Sequence, residues 1–268
     1  MKKTAPIGIF DSGIGGLTVA NAIQKELPNE QLIYFGDIAH LPYGDKSTEA
    51  IKTYSKHITQ FLLEKECKAI IIACNTASAL AYQEVKRIVN KQALVINVID
   101  PIVNYISNKY TDQKVGIIGT KGTIKSRVYV RKIKKINPTI DVTSLATPLL
   151  APMIEEGFFN NKISQTIINN YLSTKSFKKI NALVLGCTHY PLIKKEVENY
   201  YNGNCEIIDS AQIVAHKVKE RLNKTELINP YKTSPHHFFV SDYTKAFEQS
   251  ARLFFKGKIK LENINIWQ

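Results

Sequence analysis

Short apolar runs of strand length alternate with longer amphipathic segments along nearly the whole chain. The apolar runs predict strands at residues 7–10, 31–35, 69–73 and 94–98. The amphipathic segments predict helices at residues 17–27, 48–66 and 77–89. Strands that are apolar throughout are typical of parallel sheets covered on both faces, and their alternation with helices is typical of βα units. The pattern therefore predicts an α/β protein with mainly parallel sheets.

The same alternation begins afresh after Asp100-Pro101. Further strands are predicted at residues 114–118, 142–145, 182–185, 206–208 and 237–240. The segment from Asp209 also adds two helices, one to about residue 222 and one over residues 243–255. Asp242 is the predicted N-cap of the last helix and Gly257 its predicted stop. We therefore place domain boundaries near residues 98–100 and 209.

The chain is basic, with a formal net charge of +13 from 36 Lys and Arg against 23 Asp and Glu. Its densest basic stretch, residues 121–135, contains no acidic residue. On a helix this stretch would form a solvated face, with Ile124, Val128 and Ile136 turned inward. We therefore expect the charge to reflect surface composition rather than a nucleic-acid partner.

The cysteine spacing and the N-terminal segment indicate the compartment. Cys67, Cys74, Cys187 and Cys205 form no Cys-x-x-Cys pair and no zinc-knuckle spacing. The N-terminus reaches Asp11 before an apolar segment of signal-peptide length develops. No apolar run approaches the ~20 residues of a membrane helix. We expect a cytoplasmic protein with free thiols and no membrane partner.

Two strand ends read as variations on one another, since residues 69–76 and 182–189 are each an apolar run that ends in a cysteine and small polar residues. Ligands of open α/β sheets bind at the carboxyl ends of strands, so Cys74 and Cys187 are predicted to face one site. Each would enter a helix, whose N-terminus favours thiolate. Cys67 and Cys205 are interpreted as small buried hydrophobic residues.

Several thiol chemistries do not fit this pair. A cysteine phosphatase needs an arginine six residues past the nucleophile, where this chain has Leu80 and Ile193. A single-nucleophile hydrolase leaves one thiol unexplained, and the set Cys74, Cys187 and His189 is irregular for zinc, so no metal is expected. Two thiols suit acid and base catalysis on opposite faces of one carbon, without a cofactor. His189 could tune or protonate Cys187.

Two turns precede the first thiol. The segment Asp11-Ser12-Gly13-Ile14-Gly15-Gly16 follows the first strand, and the amides of such a helix N-terminus bind phosphate or carboxylate. Thr18 stands where the dinucleotide fingerprint has its last glycine, so a carboxylate-sized ligand fits better, although a structural turn remains an alternative. The turn at Tyr43-Gly44 could close over the ligand, whereas Asp37 is expected to be a solvated residue or a cap.

An ordered set of motifs covers nearly the whole chain and resembles the glutamate racemase family of the cofactor-independent aspartate/glutamate racemase superfamily. The motifs span residues 11–17, 34–37, 42–44, 73–78, 119–120, 155–157 and 186–191. The resemblance implies two pseudo-symmetric three-layer α/β domains, residues 1–98 with 210–268 and residues 99–209, with the active site in the cleft between them. It also implies interconversion of L- and D-glutamate for peptidoglycan biosynthesis, no cofactor, and a homodimer.

The resemblance also implies a role for each site residue. Cys74 would take the proton from D-glutamate and Cys187 from L-glutamate, with Asp11 assisting Cys74 and His189 assisting Cys187. Glutamate would be held by Asp11, Ser12, Tyr43, Gly44, Asn75, Thr76, Thr188 and His189.

Three alternatives remain open from the sequence. Glu155 resembles a further acid near the second thiol, but the neighbouring Glu156 could take that place. The substrate could instead be aspartate, since sequence constrains side-chain length poorly. A more distant alternative is a basic module that binds nucleic acid or protein.

Overall fold

The computed structural model describes residues 1–231, 234–255 and 259–267, and its strands form two sheets in which every described pairing is parallel. The strands are β1 (Ile7–Asp11), β2 (Leu32–Gly36), β3 (Ala69–Ile72), β4 (Leu94–Asn97), β5 (Lys114–Gly119), β6 (Asp141–Ala146), β7 (Ala182–Gly186), β8 (Glu206–Ile208), β9 (His237–Val240) and β10 (Leu261–Asn263). The predicted α/β class with mainly parallel sheets is confirmed.

Helices connect the strands, as parallel pairing requires. They are α1 (Leu17–Glu26), α2 (Thr48–Glu64), α3 (Asn75–Leu80), α4 (Tyr82–Val89), α5 (Ile99–Lys109), α6 (Lys121–Lys125), α7 (Val128–Ile136), α8 (Leu150–Glu155), α9 (Lys162–Leu172), α10 (Lys194–Tyr201), α11 (Ser210–Lys224) and α12 (Lys245–Phe254). None of these helices is both long and apolar enough to cross a membrane.

The first sheet has six strands in the order β10-β9-β2-β1-β3-β4. Alternate residues of its central strands face opposite layers of helices. Ile9 and Ile71 pack in the same core as α1, whereas Phe10 and Ile72 pack in the same core as α2. Strands β9 and β10 extend this sheet beyond β2. Main-chain pairing therefore joins strands from the early part of the sequence to strands from the late part.

The second sheet has four strands in the order β6-β5-β7-β8. Its central strands β5 and β7 are in register from Val115 opposite Ala182 to Gly119 opposite Gly186. The α1-side core of the first sheet continues without interruption into this one, through Ile102 to Leu183. The two sheets thus share one apolar core.

Two predicted helices are broken. The segment predicted as one helix over residues 77–89 forms α3 and α4, which meet at Ala81. The basic stretch forms α6 and α7, because Arg127 adopts a left-handed conformation with φ of 54°. The break changes the helical phase, so Ile133 enters the core and Ile136 is 52% exposed. The inward orientation predicted for Ile136 is therefore wrong.

The C-terminal helix is capped differently from the prediction. The hydroxyl of Thr244, rather than Asp242, accepts a hydrogen bond from the backbone N–H of Phe247 and caps α12. The predicted stop at Gly257 lies outside the described residues. Strand β10 is absent from the sequence prediction because its polar, three-residue segment carries no strand periodicity.

A buried ion pair ties the C-terminal segment to the amino-terminal edge of the first sheet. The ammonium of Lys68 lies 2.6 Å from Oε2 of Glu30, with both side chains buried. Lys68 also donates hydrogen bonds to the carbonyls of Leu227, at 2.8 Å, and of Lys3. The other oxygen of Glu30 accepts a 2.9 Å hydrogen bond from the backbone N–H of Asn229. Four separate chain segments therefore meet at one charge pair.

Substituting Lys68→Met should destabilise the fold by about 3–5 kcal/mol, because it leaves the Glu30 carboxylate buried without its counter-charge. Urea unfolding followed by circular dichroism measures the change. Lys52→Met is the matched control, since Lys52 pairs with Glu49 at 2.8 Å on an exposed helix surface and should lose less than about 1 kcal/mol. Equal losses in the two variants would contradict the proposed role of the buried pair.

Candidate active site

The carboxyl ends of β1, β3 and β7 meet where the two sheets face each other. Cys74 follows β3 and Cys187 follows β7, and these two cysteines are only 5% and 7% exposed. Contacts cross between the sheets at this point. Thr18 donates a 3.2 Å hydrogen bond to the carbonyl of Thr188, and the Thr188 hydroxyl lies 3.4 Å from Oδ1 of Asp11. The two predicted thiols and Asp11 are thus brought into one closed region.

The glycine turn after β1 binds a carboxylate, but that carboxylate is Asp11 itself. Its Oδ2 accepts hydrogen bonds from the backbone N–H groups of Gly13, at 3.2 Å, and Gly16, at 2.9 Å. The sequence predicts that the amides of this turn bind a ligand. These two amides are occupied by Asp11 instead. Burial raises the pKa of Asp11 and outweighs the lowering by His189 and by the backbone hydrogen bonds.

Cys74 caps α3, and its sulfur lies 3.5 Å from the backbone nitrogen of Ala77 and 3.8 Å from the hydroxyl of Ser12. Burial, followed by the charge of Asp11, raises the pKa of Cys74 to about 12. The expectation that the helix N-terminus makes Cys74 a thiolate is wrong, because desolvation in the closed site exceeds the effect of one short helix. Cys74 therefore holds its proton in this state.

Cys187 has different neighbours. Its sulfur lies 3.6 Å from Nδ1 of His189, and Nε2 of His189 lies 2.9 Å from Oε1 of Glu155. The contact between His189 and Glu155 is close enough for an ion pair, but its geometry is not that of a hydrogen bond. A 3₁₀ turn, Tyr190–Ile193, follows in place of the expected α-helix. Glu155, at the end of α8, faces His189, whereas the neighbouring Glu156 is exposed.

The charge of His189 is set by two opposing effects. Burial lowers its pKa, but the contacts with Cys187 and Glu155 outweigh burial, so that the pKa lies well above its ordinary value. His189 is consequently an imidazolium that can exchange a proton with Cys187. The site thus contains one sulfur that holds its proton and a second sulfur beside a charged acid/base partner.

The remaining predicted binding residues lie around these two sulfurs. Buried polar side chains come from the β1 turn, the start of α3 and the end of β7: Ser12, Asn75, Thr76 and Thr188. Gly44 packs against the turn after β5, where a Cβ atom at its position would lie 2.8 Å from Cβ of Thr120. The hydroxyls of Thr120 and Thr76 are 2.9 Å apart, so this turn closes one side of the site.

Asp37 is fully buried, so the prediction that it is solvated is wrong. It does occupy the N-cap position of the 3₁₀ turn Ile38–His40, the other predicted alternative, but without a side-chain capping hydrogen bond. Its carboxylate accepts hydrogen bonds from the hydroxyls of Tyr43, at 2.7 Å, and Ser241, at 2.8 Å, and contacts Nδ1 of His40 at 2.8 Å. The hydroxyl of Tyr43, one of the predicted substrate-binding residues, therefore donates to Asp37. The position of Asp37 at the end of a buried strand was the available signal.

Tyr129 is the second residue missed. It lies on α7, and its hydroxyl donates a 2.7 Å hydrogen bond to Oδ1 of Asn75. Nothing in the spacing of a basic, amphipathic helix indicates this contact. Among the described residues, no group of three or more His, Cys, Asp or Glu side chains is arranged to hold a metal ion.

The stability of the fold should depend on pH through His189. Its folded-state pKa exceeds the value of about 6.5 of an unfolded histidine. The bound proton therefore stabilises the fold fully below about pH 6.5, and this contribution is lost as pH rises through the folded-state pKa. Between pH 6.5 and 9, wild-type protein should lose more unfolding free energy than His189→Gln, by up to about 1.4 kcal/mol per pH unit.

Urea unfolding at several pH values measures that difference. His216→Gln is the control, because the His216 side chain is 81% exposed on α11, and this variant should retain the loss of unfolding free energy that depends on His189. Parallel pH profiles for wild type and His189→Gln would show that no stabilising proton resides on His189.

Comparisons with known proteins identify the family of this chain. The family model described as Asp/Glu/Hydantoin racemase matches residues 16–218. The glutamate racemase of Chlorobaculum parvum is 43% identical over 255 residues, which are 95% of this chain and 93% of that protein. The crystal structure of the Francisella tularensis glutamate racemase in complex with D-glutamate superposes with a TM-score of 0.93 at 39% identity, covering 99% of each chain.

An aspartate racemase homologue from Pyrococcus horikoshii shares the fold with a TM-score of 0.56, at 21% identity over 82% of this chain and 99% of that one. The relatives named glutamate racemase are thus much more similar in both sequence and structure. The chain belongs to the glutamate racemases of the Asp/Glu/hydantoin racemase family.

Proposed function

We propose that this protein interconverts L- and D-glutamate by two proton transfers at the α-carbon and supplies D-glutamate for peptidoglycan biosynthesis. The observation that carries the proposal is the pair of buried thiols, Cys74 and Cys187, at facing strand ends with unlike acid/base partners. Membership of the glutamate racemases selects the substrate. The proposed partner is therefore the small-molecule substrate glutamate, and no nucleic-acid partner is proposed for the basic surface.

In the direction from L- to D-glutamate, the sulfur of Cys187 removes the α-proton while Cys74 delivers its own proton to the opposite face. The first C–H bond breaks and the second forms, so the stereocentre inverts and no electrons are exchanged with a cofactor. Cys187 ends as the protonated thiol and Cys74 as the thiolate. The reverse reaction uses the same groups in exchanged roles.

The partners of each thiol support these assignments. His189, held by Glu155, accepts or returns the proton of Cys187. Asp11 is close enough for its charge to raise the pKa of Cys74, which burial has already raised, and it would assist Cys74 when that residue acts as the base. Because the α-hydrogen of an amino acid is weakly acidic, donors placed around the α-carboxylate would stabilise the carbanion-like transition state.

We also propose a domain division, a cellular location and an oligomeric state for this chain. We assign residues 1–98 with 210–268 to one domain and residues 99–209 to the other, a division supported by which strands share a sheet. A cytoplasmic location is supported by four free cysteines. We also propose a homodimer, which sedimentation velocity of the purified protein would test.

Reaction in heavy water tests the function directly. Starting from L-glutamate, the D-glutamate formed early should carry deuterium at the α-carbon while the remaining L-glutamate does not, because each face of the carbon meets its own thiol. Chiral chromatography with mass spectrometry measures both pools. Aspartate is the comparison substrate, and exchange of aspartate in preference to glutamate would favour an aspartate racemase. No exchange of either, with salt-sensitive DNA binding, would favour the binding module.

Substituting Cys74→Ser should lower kcat for racemisation by about 10²-fold or more, since a serine hydroxyl is a far weaker acid than the thiol that delivers the proton. D-glutamate binding, measured by calorimetry, should change little. Cys205→Ala is the control, because Cys205 is buried beside β8 and makes no contact with either site thiol among the described contacts. Full activity of Cys74→Ser would rule out Cys74 as an acid or base.

A further inference from the structure

Asn75 presents an unusual combination of one satisfied and one unsatisfied polar atom. The residue follows Cys74 directly, begins α3 and is 2% exposed. Its Oδ1 accepts a hydrogen bond from Tyr129, but its Nδ2 is buried and has no hydrogen-bond partner among the described residues. A buried donor without a partner is costly in free energy. Its place beside a catalytic thiol indicates that the missing partner is an oxygen atom of the substrate.

Tyr129 determines which end of the Asn75 carboxamide is free. Tyr129 is 3% exposed, and burial raises its pKa, so the phenol keeps its proton and acts as a donor. Because its single O–H group points at Oδ1, the two amide hydrogens remain for another acceptor. A half-turn of the carboxamide would place Oδ1 at the free position instead. The site would then present an acceptor that repels a carboxylate.

We propose that Tyr129 is a positioning residue that fixes the Asn75 carboxamide with Nδ2 directed to a carboxylate oxygen of glutamate. The identity of that ligand rests on the proposed function, whereas the orientation of the amide rests on the Tyr129–Asn75 contact alone. Tyr129 does not touch the substrate in this scheme. It acts through Asn75, and its effect is on binding rather than on proton transfer.

The contact also joins the two halves of the molecule. Asn75 follows β3 of the six-stranded sheet, whereas Tyr129 lies on α7, which packs against β6 of the four-stranded sheet and against α5. The donor for the carboxylate is therefore oriented only when the two sheets are held together. Tyr129 thus couples closure of the site to its affinity for the substrate.

The test compares Tyr129→Phe with Tyr110→Phe in the full chain. Both variants remove one hydroxyl from a buried tyrosine in the part of the molecule that contains the four-stranded sheet. The Tyr110 hydroxyl donates to Glu206, away from the thiols. Tyr129→Phe should weaken D-glutamate binding and raise KM for both enantiomers about tenfold, with kcat changed by less than about twofold. Tyr110→Phe should leave KM at the wild-type value. An unchanged KM in folded Tyr129→Phe would overturn the proposal.

A double-variant comparison separates positioning from general stabilisation. If Tyr129 acts through Asn75, adding Tyr129→Phe to Asn75→Ala should weaken D-glutamate binding no further, within about twofold. A further tenfold loss in the double variant would overturn the proposal, because it would show an effect of Tyr129 that is independent of Asn75. Calorimetry suits this measurement, since it does not require turnover.

Asn75→Asp provides a second route that leaves Tyr129 in place. The new side chain still accepts the Tyr129 hydrogen bond but offers no amide donor to a carboxylate, so binding of D-glutamate should be lost in variant protein that circular dichroism shows to be folded. Retained binding would overturn the proposal. The proposed function fails separately, if the wild-type protein does not exchange the α-hydrogen of glutamate at all.

Discussion

The site depends on a close approach between the turn after β1 and the end of β7. Gly15 makes this approach possible, since a Cβ atom there would lie 2.5 Å from Cε1 of His189 and 2.7 Å from Oγ1 of Thr188. Any larger residue would have to displace the side chains of His189 and Thr188. The approach places Asp11 beside Thr188 and encloses both thiols between the sheets. One missing side chain therefore permits two sheets to form a single site.

The two enclosed sulfurs have different neighbours. Around Cys74, exclusion of water favours the neutral thiol, and the nearby Asp11 adds to that effect. Around Cys187, the same exclusion strengthens the attraction of the His189 imidazolium to its two neighbours, the sulfur and Glu155. The neighbours of each thiol, rather than the thiols themselves, thus distinguish the two faces of the substrate. A symmetric pair of cysteines would offer no such distinction.

The apolar strands and their order along the chain could be predicted, because both are written in local periodicity. Cys74 was also found locally, since it follows a buried strand. The protonation of Cys74 could not be predicted from the sequence, because its desolvation depends on packing from the opposite sheet. The contacts of Asp37 with Ser241 and of Tyr129 with Asn75 join residues 204 and 54 positions apart. Such contacts leave no trace in spacing, so only the folded structure reveals them.

The sheet order has a consequence for biosynthesis of the chain. Strands β5 to β8 are contiguous in sequence, so the four-stranded sheet can pair while later residues are still being translated. The six-stranded sheet must wait, because β9 and β10 follow β8 along the chain and cover the edge of β2. Until then β2 presents open main-chain groups to other nascent chains. Strands that are translated after the whole four-stranded sheet therefore protect β2 from aggregation.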